Sequence, residues 1–480
     1  MSIAFFHPTQ VLRLVIVWLT VWFLFACGGG ISVSGVGSGG SGIAEGSVTG
    51  FGSVIVNGVE YDDSSAVSQS EDATGTQILS AAKLGQQVRI SQSKDGVANT
   101  IDILPQLRGP VTRLDAGSAY LQVMGQWVRV VSVSNTAGTA TVLDGYDAIG
   151  SIAQGDALEV HGVWSQDASK GLPVLVASRI EKVSGSYALV ISGQVTSVTG
   201  PGLLTLNGGT TVLETDPPLV FTVGTQVTAW LSQWANPPQT LRVTRIKDAA
   251  PVPAGAQLLR LEVMAAAADL TNGQLRAQGR LITIPASLQG QLPANPAPLL
   301  LEATLQNGVW TATALRIRGT AQDLGGEIVL KGAAPWDATA QSLTLREATV
   351  RIVGSTVISP NCPRSGPMVA LEVHALRGPP GSTPVATSIN CFSTVPDAMV
   401  IRQGGYLQSI ASDGNSVSVL FDGQANPTTL VLLGGSLLPP LPNDLSALRN
   451  GHIHVDVEYQ VIAGQNQLRK VTPPPPQSGP

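Results

Sequence analysis

Gly50-Phe51-Gly52-Ser53-Val54-Ile55-Val56-Asn57-Gly58-Val59-Glu60-Tyr61-Asp62 decides the fold class. Val54-Ile55-Val56 and Val59-Glu60-Tyr61 are short runs rich in β-branched and aromatic residues, and Asn57-Gly58 separates them. Both residues of that pair tolerate the positive φ that a type I′ turn demands, so the segment reads as a tight hairpin. Phe51 and Tyr61 are placed to pack across it. Hairpin chemistry alone accounts for the glycine and asparagine, so the motif reads as architecture rather than as a site.

Beyond the hairpin, one short pattern recurs along the chain. A small-polar-x-Ile-polar segment ends each of five stretches: Ala98-Asn99-Thr100-Ile101-Asp102, Ala177-Ser178-Arg179-Ile180-Glu181, Val243-Thr244-Arg245-Ile246-Lys247, Ala314-Leu315-Arg316-Ile317-Arg318 and Ala386-Thr387-Ser388-Ile389-Asn390. Leu468-Arg469-Lys470-Val471-Thr472 is a looser sixth. The Ile or Val positions 101, 180, 246, 317, 389 and 471 lie 79, 66, 71, 72 and 82 residues apart, a period of about seventy.

Each closing segment follows another alternating run, such as Val88-Arg89-Ile90 or Leu158-Glu159-Val160-His161. Gly85, Gly155 and Gly224 stand three residues upstream of three such runs, where a turn must enter a strand. Openings recur as Gly46-Ser47-Val48-Thr49, Gly109-Pro110-Val111-Thr112 and Gly193-Gln194-Val195-Thr196. The alternation gives each strand one apolar and one polar face.

A unit of this size with about five short strands leaves exposed edges unless it closes on itself. The expected fold is therefore all-β: tandem small OB-like five-stranded β-barrel repeats, each with its own core, strung head to tail. The units run over 46–105, 106–186, 187–249, 250–320, 321–395 and 396–472. Before them lie a signal peptide over 1–26 and a Gly/Ser tether over 27–45, and a Pro-rich tail follows over 473–480.

The Gly50 to Asp62 segment is similar to the opening of the DUF5666 domain, whose members run G-F-G-S-V-x-V-N-G-V after a lipobox and a glycine-rich tether. Gly155-Asp156-Ala157-Leu158-Glu159-Val160-His161-Gly162 and Ala177-Ser178-Arg179-Ile180-Glu181 also match. The likeness is close over 46–184, fair to 248 and weak in the last three units. The family has no characterised function, so the resemblance implies fold and location rather than activity.

The amino-terminal run Leu14 to Ala26 suits the core of a signal peptide and is too short for a transmembrane helix. Leu24-Phe25-Ala26-Cys27-Gly28 resembles the lipobox of bacterial lipoproteins. That resemblance implies cleavage before Cys27, a diacylglycerol on its sulfur and an acylated amino terminus. A plain secretory signal or an uncleaved anchor is the alternative. Gly28 is not the Asp that marks inner-membrane retention in that family, so an outer-membrane anchor is expected. Two acyl chains suffice for stable anchoring.

Composition agrees with strands and turns: the chain has 53 glycines, and only 12% of its residues are charged. A net charge of −5 provides no basic field for a phosphate backbone, so no nucleic-acid partner is expected. Cys362 and Cys391 are an even pair in an oxidising compartment and are expected to form a disulfide, two buried thiols being the alternative.

Chemistry is sparse. The G-x-S-x-G elbow of serine hydrolases is absent. Gly35, Gly37 and Gly40 fit G-x-G-x-x-G, but the segment is low in complexity and no helix follows, so no dinucleotide cofactor is expected. His161 and His374 occupy equivalent places in two units, which repetition explains without a site. His452, His454, Asp456 and Glu458 share one strand face and have ligand types, and an exposed polar face is the simpler reading. Arg179, Arg245, Arg316 and Arg318 read as a solvated strand face, and form a stripe for an anionic partner only if the units stack in register. Trp127, Trp164, Trp230, Trp234, Trp310 and Trp336 are scattered over the units; core anchors are expected, and a sugar-binding platform, which needs several exposed in one row, is the alternative. No catalytic residue, metal or cofactor is therefore assigned. The expected role is non-enzymatic binding or structure, with the membrane and an envelope protein or polymer as partners. The rival is an enzyme or accessory subunit acting on an envelope glycan.

Overall fold

The computed structural model describes residues 35–472 apart from 37–40, 64–65, 94–95, 116–118, 133–139, 168, 210, 235–239, 253–254, 318–326, 346–347, 393–399, 412–415, 422–425, 438–453 and 463–464. Cys27, the signal peptide, most of the tether, Arg318, His452 and the Pro-rich tail lie outside the described residues.

The chain is nearly all β, with only short helical turns. Leu107–Asp115 runs antiparallel to Tyr120–Val123, which turns back along Gln126–Val130. Gln126–Val130 and Val142–Asp144 lie parallel to Leu172–Lys182. Leu172–Lys182 is antiparallel to Ala157–Asp167, and that strand returns to Leu107–Asp115. The result is a closed five-stranded barrel whose strand order is first, second, third, fifth, fourth.

The same order of pairings joins the strands of 42–103, 189–248 and 400–472. Four of the five pairings are present in 258–317 and in 327–392. Ile101, Ile180, Ile246, Ile317, Ile389 and Val471 all lie on the fifth strand of their circuit. Ile101, Ile180, Ile389 and Val471 are buried, whereas Ile317 is 42% exposed and Leu315 takes its place against the core.

Local sequence explains the local geometry. Asn57 and Gly58 have φ of 56° and 77°, as the hairpin requires, and Asn207 and Gly208 repeat this at 54° and 64°. The turn residue folds back onto the first strand, where Asn57 Nδ2 donates to Glu45 O and Asn207 Nδ2 to Ser192 O. A Cβ on Gly46 would lie 1.9 Å from Asn57 Nδ2, so the glycine of the opening motif makes room for the asparagine. The threonine of the same motif secures the hairpin: Thr49, Thr112 and Thr196 Oγ1 accept from the N–H of Gly58, Gly125 and Gly208 at 3.3, 3.1 and 3.0 Å.

The circuits are not strung head to tail. Every first strand pairs with the first strand of another circuit. Residues 42–45 of Gly42–Phe51 run parallel to Leu258–Ala265, and residues 50 and 51 to Glu327–Asp337. Leu107–Asp115 meets Leu189–Gly200, and Glu327–Asp337 meets Val400–Ile410. All ten residues of Gly42–Phe51 are buried.

The cores merge accordingly. One cluster contains Val48, Ile90 and Ile101 together with Leu330, Leu371 and Cys391. Another joins Leu121 and Ile180 to Leu204 and Leu241. The expectation of a separate core in each unit is therefore corrected for 42–103, 107–182, 189–248 and 327–392, whereas 258–317 and 400–472 keep clusters of their own to which Ile43 and Ala333 are added. A chain of about sixty residues buries only about 60% of its unfolded surface, and sharing a core offsets that deficit.

Cys362 and Cys391 form a disulfide with Cα atoms 4.9 Å apart, and both sulfurs lie against the core shared by 42–103 and 327–392. With a sequence separation of 29 between the half-cystines, chain entropy assigns the bridge about 3–4 kcal/mol. Because the core is shared, Cys391→Ser is expected to lower hydrogen-exchange protection in strands 87–92 and 98–103 as well as in 385–392. Loss confined to 327–392 would show that the two circuits unfold separately.

Replacing Gly46 by alanine is expected to cost about 1–3 kcal/mol through overpacking. Part of the loss should return in the Gly46→Ala/Asn57→Gly double variant, read as a double-mutant cycle of urea midpoints. Strict additivity would show that the two residues do not share the space.

Candidate functional site

In five of the six circuits, the register pairs positions of opposite charge on the first and fourth strands. The register sets Glu45 opposite Arg89, Arg108 opposite Glu159, Arg260 opposite Glu302, Lys331 opposite Glu372 and Arg402 opposite Glu458. Ser192 and Thr228 take these places in 189–248, their hydroxyls 3.1 Å apart. Arg108 Nε lies 2.6 Å from Glu159 Oε2, and Arg89 Nε 2.7 Å from Glu45 Oε1.

Only in 42–103 is the carboxylate on the first strand. This reversal places Glu45, 3% exposed, within reach of a second cation, and Arg280 Nη2 donates to the same Oε1 at 2.7 Å. Burial pushes the Glu45 carboxyl up, but Arg89 and Arg280 outweigh it and hold the group below the usual carboxylate range. Beside it, Glu262 Oε2 accepts from Ser47 N and Gln87 Nε2 at 2.8 and 3.2 Å.

Further ties converge on the same circuit. Arg179 Nη1 donates to Leu84 O and Ser178 Oγ to Gly85 O, at 3.1 and 2.6 Å. Arg245 and Lys247 both pair with Glu71, and Arg245 also lies over the Trp230 ring at 4.2 Å. Arg469 Nη1 pairs with Asp63 Oδ1 at 3.2 Å. The arginine stripe is thus corrected: Arg179 and Arg245 are joints between circuits, and Arg316 alone of the described members is exposed.

His161 is fully buried, with Nε2 2.8 Å from Glu159 Oε1 and Nδ1 3.3 Å from Leu104 O. His374 repeats the first contact with Glu372 at 2.9 Å. Burial raises the Glu159 carboxyl, but His161 and Arg108 bring it down to about 2. Among the described residues, no group of three His, Cys, Asp or Glu side chains is gathered to hold a metal. The side chains of His454 and Asp456 lie outside the described residues. Trp230 and Trp336 are buried, and of the half-buried Trp127, Trp164, Trp234 and Trp310 the last three pack against a core.

Where 42–103, 107–182, 189–248 and 258–317 meet, the structure contains a cavity of about 340 Å³. Glutamine dominates its polar wall: Gln87, Gln106, Gln194, Gln226 and Gln278 line it, with Trp164 among the apolar groups. The indole Nε1 of Trp164 donates to Ser192 O at 3.1 Å, which fixes the ring. Sequence reading missed this site, because its glutamines come from separate units and follow no common motif.

No family model matches the chain, and no curated protein is significantly similar to it.

Glu45 and Glu159 both have folded-state values below their ordinary one. Each therefore stabilises the fold fully above the ordinary value and ceases to do so as pH falls through the lowered one. For Glu159 that window runs from 4.5 down to about 2. The urea midpoint is expected to fall across it, and Glu159→Gln should lower stability at neutral pH and flatten the profile. Glu45→Gln, which strands two buried arginines, is expected to cost about 3–5 kcal/mol at neutral pH. A neutral-pH midpoint unchanged in both variants would overturn this account.

Proposed function

We propose that the chain is a lipid-anchored protein of the bacterial cell envelope, held by acylated Cys27 in the outer membrane, with a non-enzymatic binding or structural role. Its body consists of tandem OB-like barrels of the DUF5666 kind. The order first, second, third, fifth, fourth, with a parallel third-to-fifth pairing, is that of a small Greek-key barrel; it is complete in four units and lacks the first-to-second pairing in 258–317 and 327–392, whose parallel third-to-fifth pairing supports the same reading.

The observation that carries the functional reading is the use made of charge. Arg179, Arg245 and Arg469 of the closing strands and the carboxylates Glu45, Glu71 and Asp63 are engaged in joining circuits rather than gathered for acid–base work. An enzyme or accessory subunit acting on an envelope glycan has less support, since Glu45, a carboxylate of the cavity wall, already accepts from two arginines.

In the producing bacterium, wild-type protein is expected in the membrane fraction, with acyl chains on the peptide that begins at Cys27. Cys27→Ser should move the protein to the soluble fraction. Equal membrane retention of the two proteins, read by fractionation and mass spectrometry, would refute the anchor.

A further inference from the structure

The cavity wall has a chemical direction. Gln87 Nε2 donates to Glu262 Oε2, Gln106 Nε2 to Leu104 O, Gln194 Nε2 to Gly224 O and Gln278 Nε2 to Glu262 O, at 3.2, 3.2, 3.4 and 2.7 Å. All four acceptors are carboxylate or peptide oxygens, which have no proton to give. The amide nitrogens must therefore face them, and the carbonyl ends are fixed by exclusion. Those four carbonyl oxygens accept nothing from the described residues. A ligand in this cavity must then supply donors.

Charge narrows the class. Arg89, Lys247 and Arg276 on the wall disfavour a cation, while Glu45, Asp269 and the row of carbonyl oxygens disfavour an anion. A volume of about 340 Å³ lies at the small end of ligand sites, which span roughly 300–1,000 Å³. Trp164 adds an apolar ring of fixed orientation, against which the C–H face of a sugar packs.

We propose that this cavity binds a neutral saccharide, whose hydroxyl groups donate to the carbonyl oxygens of Gln87, Gln106, Gln194 and Gln278 and whose ring lies against Trp164. The site takes up the binding role proposed above without depending on the lipid anchor. Its failure leaves the fractionation result intact, and the reverse also holds.

The test is calorimetric titration of the full-length chain with cellobiose and N,N′-diacetylchitobiose as neutral probes, and with glucose 6-phosphate and spermidine as charged controls. A neutral disaccharide is expected to bind in preference to both controls. Gln106→Met and Gln194→Met, which keep volume and remove the acceptor, should each weaken it at least tenfold, since a site built to hydrogen-bond discriminates strongly when a partner is lost. Hydrogen exchange on the unaltered chain provides a readout that needs no variant: the bound sugar should protect 104–106, 192–196 and 276–279. The proposal is overturned if neither neutral probe binds, if a charged control binds more tightly, if folded Gln→Met variants bind as the wild type does, or if protection falls elsewhere.

Discussion

A carboxylate surrounded by paired strands has to be neutralised where it stands, and Glu45 sets the terms for the strands around it. Desolvation alone would protonate the group. Arg89 from its own circuit and Arg280 from 258–317 share its Oε1 and keep it ionised. In the other charged circuits the first strand carries the cation and the fourth the carboxylate, and Arg108–Glu159 and Arg260–Glu302 are pairs within one circuit. Reversing that polarity once leaves a carboxylate that can accept from outside. The circuit of 42–103 thereby gains a buried tie to 258–317, and its Glu60 in turn gives Lys331 of 327–392 a second carboxylate.

The joints follow the same logic. A small barrel has a thin core and, where its first strand runs past the ring, an unpaired edge. Joining first strand to first strand covers that edge, and at two of the four joints it merges the adjacent cores. Glycine makes the approach possible in Gly42–Phe51: a Cβ on Gly42 would lie 2.3 Å from Leu258 O, and one on Gly50 2.4 Å from Val329 O. The low charge content fits this design. A surface that meets other barrels on several sides has little use for charge beyond the pairs that fix each joint.

Much of this is legible in sequence where the cause is local. Asn57-Gly58 dictates its turn through two φ angles, the recurrent Ile marks a fifth strand through alternation, and Gly85, Gly155 and Gly224 do adopt the positive φ that their place before a strand implies. The disulfide was legible from the count of cysteines and the flexible Pro/Gly segment beside Cys362. What escaped is non-local. Arg108 and Glu159 are partners 51 residues apart, and their pattern is masked because 42–103 inverts it and 189–248 replaces it with Ser192 and Thr228. Arg179 and Arg245 share a period that was visible, but whether that face meets solvent or another barrel depends on how the barrels are placed, and periodicity carries no information about that.

The cavity is the point at which these joints leave a remainder. Circuits that meet along first strands cannot also fill the space behind them, and the faces turned toward it are largely the polar faces of alternating strands. An apolar plug would leave those polar groups unsatisfied, and each buried acceptor without a donor costs about 1–3 kcal/mol. Water or a hydroxylated ligand removes that cost, and water alone requires neither the glutamine orientation nor the ring of Trp164. Four amides drawn from four circuits, each held by its nitrogen, make the space more ordered than solvent demands. That excess of order distinguishes a formed site from a packing gap.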